Sequence, residues 1–266
     1  MKSKLPLIAL ALLTHPAAAE VVTKTIDYRD GDVALQGFLA YDDAKARAGA
    51  PGVLIVHQWM GLSDNEKRRA RMLARMGYVA FALDIYGKDD RPANRGEAGK
   101  YAGKYKSNRA LYRQRLSAGL AELRKQTPGS KERVAAIGYC FGGTGVLELV
   151  RSGADVAGVV SFHGGLDSPS PADGKNIRAK ILICHGADDP FVPAKDIDAM
   201  VKELNGAKVD WQMISYAGAV HAFTQKEAGD DKSRGAAYDE KADRRSWGHM
   251  RQFFFELFPA GGKKQK

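Results

Sequence analysis

A cysteine held between glycines constrains this chain more than any other feature. The run Ile137-Gly138-Tyr139-Cys140-Phe141-Gly142-Gly143 lies between Val134 to Gly138, suited to a strand, and Gly143 to Arg151, suited to a helix. It has the form Gly-x-nucleophile-x-Gly of a strand-to-helix elbow, with Cys as the nucleophile. So tight a turn brings the positions two before and two after the nucleophile into collision unless both lack side chains, which explains Gly138 and Gly142. The residue between them stands exposed in a strained backbone. It also sits at a helix N-terminus, where the peptide dipoles favour negative charge and bias a thiol toward thiolate.

An elbow needs a strand before it and a helix after it, and the rest of the chain alternates in the same way. Val21 to Tyr28 and Val33 to Tyr41 read as a hairpin around Asp30-Gly31. Val53-Leu54-Ile55-Val56 is a continuous apolar run, as expected of a strand buried on both faces. Ser63 and Glu66 form a capping box opening a helix with Met72, Leu73 and Met76 at helical spacing, ended by Gly77. Tyr78 to Leu83 is the next strand. Residues 98–126 are helical in composition, after a charged stretch from Gly87 to Arg95. Further strands are expected at Val156 to Phe162, Lys180 to His185 and Val209 to Tyr216, and helices at Ala194 to Leu204 and Asp243 to Phe258. The predicted fold class is α/β: a mostly parallel sheet of about eight strands, opened by an N-terminal β-hairpin, with helices on both faces. Neither a linker nor a repeat divides residues 20–260, which are read as one domain, and 261–266 as a frayed basic tail.

Composition agrees with a globular domain: 266 residues, 44% hydrophobic and 27% charged, supply ample core. Only 10 Pro and 2 Cys exclude collagen-like and disulfide-scaffold chains. The net charge of +10 is spread along the sequence, so it reads as a solvated basic surface rather than a nucleic-acid site. Lys2 and Lys4 precede an apolar run from Leu5 to Leu13, and Ala17-Ala18-Ala19 follow. That pattern predicts a signal peptide over residues 1–19, hence a soluble exported protein, periplasmic or secreted, without a membrane anchor. An oxidising compartment would permit a Cys140–Cys184 disulfide. Cys184, however, ends the apolar run 181–183 and reads as a buried strand residue, so no pairing is expected.

Sites in such sheets form at the carboxyl ends of the strands. Those ends carry His57-Gln58-Trp59, Asp84, Cys140, His163 and the segment His185 to Asp189, and His221 lies in the loop after the last strand. Asp188 and Asp189 sit in a turn stiffened by Pro190. They could orient a base or simply cap the helix from Ala194. Nucleophile, acid, then His is the chain order of α/β-hydrolases. His57, His163 and His185 could in principle gather round a metal. No H-x-E-x-H, H-E-x-x-H or C-x-x-C spacing supports that, so neither metal nor other cofactor is expected. His249, in the last helix, is expected outside the site.

The motifs resemble those of the dienelactone hydrolase family. The likeness rests on Gly-Tyr-Cys-Phe-Gly-Gly (138–143), Gly-Ala-Asp-Asp-Pro-Phe-Val-Pro (186–193) and Gly-Ala-Val-His-Ala-Phe (218–223). Gly77 to Ala80 with Leu83 to Gly87 resembles the family's fourth-strand region, and the likeness runs from about Val22 to Phe258. It implies a triad of Cys140, His221 and Asp189, the last because it directly precedes the Pro-Phe-Val-Pro turn. It also implies an oxyanion hole from the main-chain N–H groups of Phe141 and Trp59. Two positions depart from the family: Gln58 stands where a Glu would bond the resting thiol, and Gln225 where an Arg would bind a substrate carboxylate. Arg91, Arg95 and Arg109 are then candidates for an anion clamp. The implied activity is hydrolysis of a carboxylic ester, a lactone or small activated ester, through a thioester. The expected enzyme is a monomer whose one partner is its small-molecule substrate. Two alternatives are a non-catalytic small-molecule-binding protein with Gln58 as its lesion, and a thiol-redox role, for which Cys140 lacks a nearby resolving Cys.

Overall fold

The computed structural model describes residues 20–46, 49–127 and 132–259, so the signal-peptide expectation and the tail at 261–266 fall outside the described residues. The expected hairpin is present as β1 (Val21–Asp30) and β2 (Val33–Asp42). The apolar runs become β3 (Gly52–Val56), β4 (Val79–Ala82), β5 (Val134–Tyr139), β6 (Gly158–Phe162), β7 (Lys180–Gly186) and β8 (Trp211–Tyr216). Together they form an eight-stranded sheet in the order β1-β2-β4-β3-β5-β6-β7-β8. β2 runs antiparallel to both of its neighbours, and β4 to β8 are joined through parallel pairs.

Helices cover both faces, which is why the central strands are apolar at consecutive positions. Leu54 and Val56 of β3 enter one core with Leu116 and Leu123 of α3 (Arg109–Gln126) and Val146 of α4 (Phe141–Arg151). Val53 and Ile55 enter the other, with Leu73 of α1 (Asp64–Arg75) and Met250 and Phe254 of α6 (Glu240–Leu257). The capping box forms as read: Ser63 Oγ accepts from the Asn65 N–H at 3.3 Å, and Glu66 accepts from the Ser63 N–H at 2.9 Å. Residues 98–126 prove to be two helices, α2 (Arg95–Ser107) and α3. Asn108 ends the first, and its side chain caps the second by accepting from the Leu111 N–H at 3.1 Å. A cap-forming residue inside a helical composition was the signal for that break. α5 (Ala194–Gly206) follows β7. Short 3₁₀ turns at 171–176, 226–228 and 232–234 complete the chain. Among the described residues no helix is long and apolar enough to cross a membrane.

The elbow has the geometry its glycines require. Cys140 adopts φ 54°, ψ −114°, a region L-residues rarely occupy. A Cβ at Gly138 would collide with the Gly142 carbonyl, and one at Gly142 with the carbonyls of Val56 and His57. All these obstacles are main chain and cannot rotate away. Gly142→Ala is therefore expected to lower folding stability by about 4 kcal/mol or more, read as the shift in a urea melt. A change below about 1 kcal/mol would mean that the turn is looser than drawn.

Candidate active site

Three loops at the carboxyl edge of the parallel sheet bring the sequence candidates together. Cys140 follows β5, Asp189 follows β7 and His221 follows β8. His221 Nε2 lies 3.0 Å from Cys140 Sγ, and its Nδ1 lies 2.8 Å from Asp189 Oδ2. The second carboxylate oxygen of Asp189 accepts from the Phe191 N–H at 2.9 Å, so the Pro-Phe-Val-Pro turn holds the carboxylate in place. Of the two adjacent carboxylates, Asp189 is buried and faces the ring, whereas Asp188 is exposed. The main-chain N–H groups of Phe141 and Trp59 sit near enough to the sulfur to favour its charged form.

Electrostatics follow from this packing. Burial pushes the Cys140 thiol up, but the His221 charge, the His221 hydrogen bond and the two main-chain donors outweigh it, leaving the thiol below its ordinary value. Burial pulls His221 down, yet the sulfur's charge and the hydrogen bonds to Asp189 and Cys140 raise it to about 10. Both shifts act in the same direction and favour thiolate and imidazolium over the neutral pair. Iodoacetamide is expected to alkylate Cys140 at pH 7 about tenfold faster than an unperturbed thiol, which is only a few per cent ionised there. A rate equal to that of free cysteine would remove the ion pair. Cys184 shows the opposite behaviour. It is buried, its thiol is pushed up to about 12 by burial, and both cysteines are free.

The chain matches the dienelactone hydrolase family over residues 35–258. A crystal structure of a dienelactone hydrolase-like promiscuous phosphotriesterase from metagenomic libraries is 38% identical and superposes with a TM-score of 0.85. That match covers 91% of this chain and 100% of the other. The chain belongs to the dienelactone hydrolase family. Membership makes it a carboxylic ester hydrolase with the α/β-hydrolase fold. Among relatives, it is 27% identical to the protein usf of Aquifex pyrophilus, over 87% of this chain and 97% of that one. It is 23% identical to the carboxymethylenebutenolidase homolog of Mus musculus, over 80% and 86%.

In this dienelactone hydrolase family member, Cys140 and His221 open onto a cavity of about 760 Å³. Trp59, Met60 and Phe191 give it apolar walls. Gln58 and Gln225, the two departures from the family pattern, both line it. Gln58 turns its side-chain oxygen to the Met60 N–H at 2.8 Å. Gln225 Nε2 is buried without a hydrogen-bond partner among the described residues.

Of the three arginines considered as clamps, only Arg95 lines the cavity. Arg91 is turned to the Leu62 carbonyl at 2.7 Å, and Arg109 to Asp167 at 2.5 Å. Arg234 also lines the cavity, from the 3₁₀ turn at 232–234. Nothing local in the sequence marked it. His57 is buried, accepting from the Ile85 N–H at Nε2 and donating through Nδ1 to the Gln58 carbonyl. His249 lies away from the pair, hydrogen-bonded to Tyr216. No cluster of three or more potential metal ligands occurs among the described residues.

Proposed function

We propose that the protein hydrolyses small activated carboxylic esters or lactones through a thioester on Cys140. The observation that carries this reading is the unbroken chain Sγ, His221 ring, Asp189 carboxylate, at 3.0 and 2.8 Å. The Cys140 thiolate attacks the acyl carbon. The carbonyl oxygen then takes over the Phe141 and Trp59 N–H groups from the resting sulfur, where its developing charge is stabilised. The His221 imidazolium gives its proton to the departing alkoxide, which stays tethered to the acyl group when the substrate is a lactone. His221, now neutral, accepts a proton from water as the oxygen attacks the thioester, and the thiolate leaves. One water is consumed, an acid and an alcohol result, and the ion pair is restored. Asp189 keeps the ring in the tautomer that aims Nε2 at the sulfur.

The cavity volume suits a small molecule. Its apolar walls suit an acyl chain or ring, and the free Gln225 amide suits an acceptor oxygen on it. The rival reading, a non-catalytic binding protein, finds no support in the family match. We also keep the reading of residues 1–19 as an export signal, of the enzyme as a monomer, and of its partner as the small-molecule substrate alone.

The test is mass spectrometry of the intact protein after mixing with p-nitrophenyl esters of increasing chain length and with five-membered lactones. The expected result is an acyl mass increment mapped to the Cys140 peptide. Turnover with the increment on another residue, or with none under rapid quench, would remove the acyl-cysteine step.

A further inference from the structure

Behind the cysteine–histidine pair stands a second imidazole, which the chemistry above does not use. His163 is the first residue after β6, is fully buried and has φ 40°. The main-chain N–H of Cys140 donates to its Nδ1 at 3.2 Å, sharing that hydrogen with the Phe162 carbonyl at 3.0 Å. Accepting at Nδ1 leaves the ring's proton on Nε2, which donates to Thr224 Oγ1 at 2.7 Å. Thr224 belongs to the loop that carries His221. Its carbonyl accepts from Arg69 Nη2 at 2.9 Å, and Arg69 is ion-paired with Asp243 at 2.6 Å.

We propose that His163 is a positioning residue whose imidazole ties the main chain of the nucleophile to Thr224, holding the elbow and the His221 loop in register. This rests on the reading of Cys140 and His221 as nucleophile and base. The two come from separate loops, 81 residues apart in sequence. Their own contact cannot maintain the register, because the sulfur leaves the ring each time it is acylated. A bridge between the same two loops that avoids the reacting atoms persists through the cycle, and sub-ångström placement governs such reactions.

A neutral imidazole fits the task, being a rigid ring with an acceptor at one nitrogen and a donor at the other. Protonation would set an N–H against the Cys140 N–H. Burial first, then the His221 charge and Arg69, keep His163 well below the ordinary histidine range, so it stays neutral while His221 changes charge. The groups facing it are His221, edge-on at 5.3 Å between ring centroids, Tyr139 at 6.2 Å and Arg69. His163 does not line the substrate cavity, so it is not itself a reacting group.

The experiment compares wild type, His163→Phe, His163→Asn, Thr224→Val and the double variant His163→Phe/Thr224→Val, all in the full chain. It measures kcat and KM for p-nitrophenyl acetate, the pH profile of Cys140 alkylation by iodoacetamide, and thermal melting. His163→Phe is expected to lower kcat about tenfold with KM within about threefold, and to move the alkylation profile to higher pH. His163→Asn, which keeps an acceptor for the Cys140 N–H, should recover part of that shift. Thr224→Val should lower kcat about fivefold, and the double variant should be no worse than His163→Phe, because both ends belong to one bridge.

Folded single variants with unchanged kcat and unchanged alkylation profile would overturn the proposal, as would losses that multiply in the double variant. If His163→Phe does not fold, Thr224→Val decides by the same two readouts. Wild-type protein separates the two readings. Turnover that survives complete alkylation of Cys140 sinks the nucleophile assignment and this inference with it. Inactivation by alkylation alongside unmoved variants sinks this inference alone.

Discussion

Cys140→Ala is expected to lower kcat/KM for p-nitrophenyl acetate by about 10⁴- to 10⁶-fold, the scale on which removal of an attacking residue acts. The methyl group leaves the elbow geometry, the two main-chain donors and the cavity in place. What is lost is therefore the covalent step, and residual catalysis reports the donors and binding alone. Cys140→Ser should not rescue the rate. A hydroxyl is far harder to ionise than a thiol, and the groups around Cys140 favour its thiolate by holding the thiol below its ordinary value. Steady-state assays with each variant check both statements. A fall of less than tenfold for the alanine variant would place the chemistry on another group.

Asp189→Asn is expected to cost about 10³-fold in kcat, by analogy with the loss on replacing the acid of a serine triad by its amide. Asn preserves size and the acceptor for the Phe191 N–H. An NH₂ turned to His221 Nδ1, however, demands the tautomer that leaves Nε2 with the proton whenever the ring is neutral, so it can no longer take one from water. A second consequence concerns pH. The hydrogen bond to Asp189 is among the causes that raise His221 to about 10, so its removal lowers that value. The alkaline limb, where imidazolium is lost from the free enzyme, should therefore move down toward neutrality, read from kcat/KM against pH. A kcat within about threefold of wild type, with the limb unmoved, would show that the carboxylate neither orients nor charges the ring.

The sheet was legible because its strands are buried on both faces. Continuous runs such as Val53 to Val56 admit few other readings when they alternate with capped helices. The split between α2 and α3 was hidden because 98–126 reads as helical in composition throughout, and only the side chain of Asn108 interrupts it. At the site, Cys140 was legible from the elbow and His221 from the chain order, while the turn left Asp188 and Asp189 open and only the family resemblance pointed to Asp189. His163 was visible only as a histidine at a strand end. Its ties to Cys140 and Thr224 cross 23 and 61 residues, beyond the reach of any local pattern. Arg234 was missed for a related reason, since an exposed 3₁₀ turn carries no periodicity.

By itself the sequence determined the bend at Cys140. Only residues without side chains at 138 and 142 permit so close a turn, a requirement that acts over a few residues. The tertiary structure alone decided that Arg95 and Arg234 rather than Arg91 and Arg109 reach the cavity, and that a neutral His163 spans two loops. These are questions of side-chain direction at the ends of strands. Such directions are set by what packs against each end from distant parts of the chain.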